Sequence, residues 1–320
     1  MRERAGRLLP GWTVRIVGLA GLAGLTVTLA AFAVAGPAFA EMRQGELKAH
    51  EMEDSYAPDT APLGHVLLGG LPFLLLLLCL GCAALQIVHS SAVESPARQH
   101  MLIEGELRTA LRSRLPRVLT VYVLRGLSVW TVLVGGFLVS EALTTTAFGA
   151  PAPLRPDGGP WTFVRYTAPG SAVLAALVLR LGWTLAPAAA AADGLAPFAA
   201  LRRSWALVWS RAGWLRTGAE TLLRGLFTVG VYVAAQYAAQ PLGSTARSLV
   251  LTYGTDNPYT AHAAAALTPV ALAALLSAAL TLPPAHRGFA LRYRRLRPAS
   301  GRSQMTDRER SGVGEDGPSL

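Results

Sequence analysis

Only 15% of the 320 residues are charged, well short of the roughly 25% found in an average soluble domain. An ordinary soluble enzyme is thereby excluded. Charge is also missing in blocks: residues 16–40, 60–93, 225–246 and 257–286 contain no Asp, Glu, Lys or Arg, and each is long enough to cross a bilayer core of about 30 Å. Lysine is almost absent, with Lys48 the single one among 29 bases. Arginine, alanine, glycine and proline fill the composition instead, a pattern of GC-rich coding that points to a bacterial source. Cysteine is equally scarce. Cys79 and Cys82 share one apolar run, so there is no disulfide framework and no second pair to complete a zinc site; they read as small packing residues.

Catalytic signatures are missing too. The chain has no HExxH pair and no GxxxxGKS or GxxxxGKT loop in a strand-turn-helix setting. Ser, His and Asp are scattered, without a spacing that nominates a nucleophile and its base. The expectation is a noncatalytic protein with no cofactor and no metal. A net charge of +10 would suggest nucleic acid in a soluble chain, but here topology explains it better and no nucleic acid is expected.

What is present is hydrophobic length. Six spans are predicted, at about 16–37, 63–88, 119–143, 167–190, 222–240 and 261–282, which makes the fold class an all-α polytopic transmembrane bundle. Alternate connections then hold 21 bases against five. Because juxtamembrane Arg and Lys resist translocation, the base-rich side is predicted to be cytoplasmic, with both termini on it, in the bacterial cytoplasmic membrane. Trp12, Trp205, Trp209 and Trp214 fall at predicted inner boundaries and Trp161 at an outer one, the level that an indole ring prefers. The first segment also carries features of a secretory signal, with Ala38-Phe39-Ala40 before Glu41, but its apolar run exceeds the 7–15 residues of a usual signal core. An uncleaved helix is the favoured reading. The outer loop bears Glu41, Glu46, Glu51, Glu53, Asp54 and Asp59 around His50, read as a solvated acidic loop or a weak cation site. The mixed-charge segment 299–320 has the composition of a disordered tail.

Two cytoplasmic connections share a plan: a Pro-Ala start, a short Arg-rich amphipathic helix, then Arg-Gly-Leu at the foot of the next span. They predict in-plane elbow helices at about 96–115 and 196–211. Phe198, Leu201, Trp205 and Val208 recur at helical spacing in the second elbow and are expected on one face. Val123-Leu124-Arg125-Gly126-Leu127 matches Leu222-Leu223-Arg224-Gly225-Leu226, so the second-third and fourth-fifth span pairs are read as a pseudo-repeat.

Leu185-Ala186-Pro187, Asp193-Gly194-Leu195-Ala196-Pro197 and Ala200-Leu201-Arg202-Arg203-Ser204-Trp205, followed by Arg211, Trp214 and Arg216, resemble the signature of the glycerophosphoryl diester phosphodiesterase membrane-domain family over residues 180–230. The resemblance implies an acidic residue ahead of an Ala-Leu-Arg-Arg-Ser-Trp helix and a Trp-Arg entry to the next span; Asp193, Arg202, Arg203, Ser204, Trp205, Trp214 and Arg216 occupy those places. It does not imply the phosphodiester reaction. A TIM-type barrel needs about 200–250 residues, and no hydrophilic stretch here exceeds a few tens.

Intramembrane charges are costly, at about 2.5–3.5 kcal/mol each near a helix centre on insertion scales. Arg125 and Arg224 lie close enough to the inner boundary to snorkel, and Glu220 stands in line with Arg216 and Arg224 at i, i+4, i+8. Arg180 is either too deep to snorkel, with Glu141 as the one other intramembrane acid, or brought to the interface by a span that Pro187 shortens. Arg125, Arg202, Arg203 and Arg224 are candidates to converge on an anionic lipid headgroup. The expected role is a scaffold for a membrane-protein partner or a lipid-engaging accessory component. A permease is the alternative, for which the repeat and Pro72, Pro187 and Pro269 speak.

Overall fold

The structure is a computed structural model that describes residues 8–52, 55, 59–94, 104–145, 154–155, 158–210 and 213–297. Among these residues all regular structure is helical. In chain order the helices are α1 (Leu8–Val34), α2 (Gly36–Glu51), α3 (Ala61–Glu94), α4 (Glu104–Thr144), α5 (Gly159–Gly182), α6 (Ala186–Asp193), α7 (Pro197–Val208), α8 (Trp214–Leu249) and α9 (Pro258–Leu296), with a π turn at Val250–Gly254 after α8. Six segments are long and apolar enough to cross a membrane, and they coincide with the six predicted spans. The protein is a membrane-embedded helical bundle.

Neighbouring spans run antiparallel, and small residues set their approach. Gly81 faces Ala20 and Gly70 faces Ala31 between α3 and α1. Gly136 of α4 lies so close to α5 that a β-carbon on it would sit 2.2 Å from that of Ala172, and Ser140 Oγ donates to the Val164 carbonyl at 3.3 Å one turn further on. Ser277 of α9 donates to the Thr228 carbonyl of α8 at 3.4 Å. The chain ends of α3, α5 and α9 and the starts of α4 and α8 therefore meet at one end of the bundle, the base-rich end. With about 1.5 Å of rise per residue, the 41 residues of α4 measure roughly 60 Å, twice the bilayer core, so α4 carries its basic first turns beyond the hydrocarbon.

The first elbow differs from expectation. Residues 95–103 lie outside the described residues, and 104–115 are not a separate in-plane helix but the opening turns of α4, which runs through Pro116 without a break. The second elbow is a separate helix, α7, whose four apolar residues expected on one face are divided between the protein interior and its surface. Leu201 and Val208 point into the protein with Ala200 and Ser204, while Phe198 and Trp205 are exposed. The two elbows are thus built differently, although Arg125 and Arg224 both sit within span helices. The tail 299–320 lies outside the described residues.

The fourth span is broken, for reasons legible atom by atom. Pro187 has no N–H to give and opens α6. Ahead of it the chain tightens: Thr184 N bonds the Leu181 carbonyl at 3.1 Å and Ala186 N bonds that of Trp183 at 3.2 Å. This shift from i−4 to i−3 partners frees the Gly182 carbonyl and the Leu185 N–H. Pro72 and Pro269, by contrast, are accommodated inside continuous helices.

Helix α6 is the centre of the core. Ala186 and Ala188–Ala191 are at most 1% exposed, packed against α3, α4, α7 and α9. Small alanine side chains let four helices close around one short segment. Ile87, Val118, Val121, Val208 and Tyr293 complete the cluster.

Candidate functional site at the base-rich end

The site is organised by Asp193, the last residue of α6. Gly194 follows with φ +63°, the left-handed conformation that ends a helix and that glycine adopts without strain. Arg114 of α4 donates to the Ala191 carbonyl at 2.5 Å and Arg117 donates to that of Gly194 at 3.0 Å. Two guanidinium groups thus cap the negative end of α6. The Asp193 carboxylate itself is 8% exposed and stands at that same negative end, so it requires partners of its own. Tyr293 donates to Oδ2, Arg203 Nη2 lies 3.7 Å from it, and Arg297 Nη1 lies 3.0 Å from Oδ1. Glu94 at the end of α3 joins the network through Arg114 (3.8 Å) and Arg297 (3.9 Å), and Arg294 donates to the Val93 carbonyl at 2.7 Å. Bases outnumber acids here, and the surplus is carried outward on Arg202, Arg216, Arg287 and Arg295, all exposed.

Ser204, a position named by the family resemblance, repairs the break in the fourth span. Its hydroxyl donates to Gly182 O at 2.7 Å and accepts from Leu185 N at 3.1 Å, fully buried. Trp205 covers the same break from outside: its ring sits between those of Trp183 and Trp209, tilted to both, with centroids 6.4 and 5.7 Å away, and lies over Gly182, where a β-carbon would meet it at 2.4 Å. Trp214 begins α8 and is 47% exposed. Trp205, Trp209 and Trp214 form an exposed aromatic edge at this end.

The four arginines expected to converge have different partners instead. Arg203 joins Asp193, Arg202 is exposed, Arg125 lies on α4 within electrostatic reach of Tyr122 and Arg180, and Arg224 belongs to the α8–α9 contact. Convergence on one point is therefore corrected. Arg180 is exposed in the last turn of α5, which ends at Gly182 ahead of Pro187. Glu141 is not its partner but pairs with Arg165 at 2.9 Å at the opposite end of the bundle.

Glu220 pairs with Arg224 at 3.6 Å, as the i, i+4 spacing allows, while Arg216 is exposed; sequence reasoning missed that Glu220 also reaches across to Arg292 at 3.9 Å. The Arg224 guanidinium stacks 4.7 Å from the Phe289 ring and fills the notch left by Gly288. Gln86 of α3, Tyr122 of α4 and His286 of α9 form a buried link: His286 Nδ1 is 2.9 Å from Gln86 Oε1 and 3.4 Å from Tyr122 Oη. The Gln86 carbonyl oxygen only accepts, so Nδ1 carries the proton in that pair. Nothing in the sequence singles out His286 or Arg292, because one helix alone does not reveal which of its faces another helix covers.

At the other end, α2 is a helix through Glu51, and Glu53 and Asp54 of the acidic loop lie outside the described residues. Arg43 pairs with Asp256 at 2.5 Å, and Asn257 donates to the Phe39 carbonyl at 2.8 Å. The guanidinium holds the Asp256 carboxyl below its ordinary range.

Compared with models of known protein families, with curated proteins and with solved structures, the chain matches none.

Proposed function

We propose that the protein is a noncatalytic component of the bacterial cytoplasmic membrane, akin to the glycerophosphoryl diester phosphodiesterase membrane domain without its barrel, that engages anionic lipid with its base-rich end. That end faces the cytoplasm, together with both termini. The observation that carries this reading is the pairing of an exposed indole edge, Trp205, Trp209 and Trp214, with exposed Arg202, Arg216, Arg287 and Arg295 at the same end. Indoles settle at the headgroup level, and each base beside an anionic surface adds roughly 1 kcal/mol of attraction.

The test is reconstitution of the purified full chain into phosphatidylcholine vesicles with rising phosphatidylglycerol content. Quenching of the tryptophans by brominated phosphatidylglycerol should exceed quenching by brominated phosphatidylcholine at equal mole fraction. Alanine at Arg202, Arg216, Arg287 and Arg295 together should abolish that preference. Equal quenching by both lipids in the unaltered protein refutes the reading. A protein that co-purifies in fixed stoichiometry identifies the scaffold role instead.

A further inference from the structure

Eight buried side-chain atoms lack a hydrogen-bond partner among the described residues, and five of them fall at one place: Thr217 Oγ1, Thr221 Oγ1, Arg224 Nη1, Arg292 Nε and Arg292 Nη2. The place is the foot of the α8–α9 contact. Thr217, Thr221 and Arg224 follow one another at i, i+4 and i+7, which puts them on one face of α8. Antiparallel register, with Thr228 beside Ser277 and Arg224 beside Gly288, sets Arg292 opposite Glu220 and Thr221.

Each unpartnered atom carries a hydrogen that it can donate. Arg292 is 7% exposed, and its Nη1 is turned to Glu220. The other edge, Nε with Nη2, is the side-on fork that matches two oxygens of a phosphate or carboxylate. Arg224 presents Nη2 to Glu220 and keeps Nη1 unpaired. The threonines are unusual as well. Thr228, Thr268 and Thr281 return their hydroxyls to the carbonyl four residues back at 2.7–2.8 Å, the ordinary resort of a helical hydroxyl, whereas Thr217 and Thr221 do not. Two guanidinium groups against one carboxylate leave a net positive charge. Phe289 and the absent side chain of Gly288 hold the Arg224 head in position.

We propose that this foot is a binding site for a phosphate oxyanion, gripped by the Nε/Nη2 edge of Arg292, by Arg224 Nη1 and by the hydroxyls of Thr217 and Thr221. The proposal deepens the anionic-lipid reading by naming the bound group, but it uses buried residues rather than the exposed bases. Access runs through Arg224 and Glu220, whose side chains are 29% and 39% exposed, beside the exposed Leu222, Leu223 and Leu226. A phospholipid headgroup can enter with its chains along α8, and so can inorganic phosphate from the aqueous side.

Native mass spectrometry of the full chain in detergent, titrated with phosphatidylglycerol, and thermal shift with inorganic phosphate distinguish the two sources. The variants are Arg292→Lys, which keeps the charge and removes the fork, and Thr217→Val with Thr221→Val, which keeps the shape. A first phosphatidylglycerol bound at least about tenfold more tightly than later ones, lost in both variants, establishes a lipid site, since each tenfold step is one resolvable increment of affinity. Stabilisation by inorganic phosphate, lost in both variants, establishes a site for the soluble anion. Folded variants, by circular dichroism, that bind both probes as the unaltered protein does overturn the proposal. If the four exposed-arginine substitutions abolish the vesicle preference while the tight first lipid persists, the surface reading and the buried site stand as separate features. If the preference persists in the threonine pair and no tight first lipid or phosphate effect is found, the buried site alone is refuted.

Discussion

The Ser204 hydroxyl lies 2.7 Å from the carbonyl oxygen of Gly182, and together with the bond it accepts from Leu185 N this contact lets the fourth span break without stranding its backbone. A helix interrupted inside an apolar core leaves one donor and one acceptor with no water to receive them. Ser204 serves both, because a hydroxyl accepts and donates at once.

Ser204→Ala should therefore be among the costliest small substitutions in the chain. It strands the Leu185 N–H and the Gly182 carbonyl together, a loss of about 2–6 kcal/mol at roughly 1–3 kcal/mol per buried unsatisfied group. Thermal unfolding in detergent measures it. A change within error would mean that the break closes into a regular helix when the hydroxyl is gone.

Gly136→Ala should destabilise by about 1–3 kcal/mol, the usual cost of overpacking, because the new methyl would sit 2.2 Å from the Ala172 side chain. The neighbour that obstructs it is itself one methyl. Adding Ala172→Gly should then recover most of the loss, which a double-mutant cycle on unfolding midpoints reads directly. Recovery by neither substitution would place the obstruction in the backbone of α5.

Asp193→Asn keeps the shape and the acceptor for Tyr293 but removes the charge that Arg203 and Arg297 face. Both arginines are more than a third exposed and regain some hydration, and the end of α6 gains by losing a negative charge. The net cost should stay near 1–2 kcal/mol, below that of severing a fully buried pair. Arg202→Ala, on the exposed side of α7, should change stability by less than about 0.5 kcal/mol. Equal effects of the two substitutions would contradict the central position of Asp193.

The Arg43–Asp256 pair makes the attachment of α2 to the start of α9 sensitive to acid. Its carboxyl titrates lower in the folded protein than in the unfolded chain, so the contribution is complete above the unfolded value and is lost as pH falls through the folded one. Hydrogen exchange in residues 36–51 should accelerate on acidification across that window, and Asp256→Asn should already show the faster exchange at neutral pH. The pair is solvent-exposed, so added salt should shrink the difference.

Six spans, their order and the concentration of bases at alternate connections were determined by the sequence itself. Hydrophobic length and charge placement are local properties, and the bilayer enforces them segment by segment. Glu220 paired with Arg224 was legible for the same reason, since it depends on spacing along one helix. Only the tertiary structure decided that α6 is the innermost element, that Ser204 completes the broken span, that Asp193 meets Tyr293 one hundred residues away in the chain, and that Arg292 opposes Glu220. These are meetings of faces on different helices. Helical periodicity states which residues share a face, but which neighbour covers that face is fixed by the packing of all the spans at once.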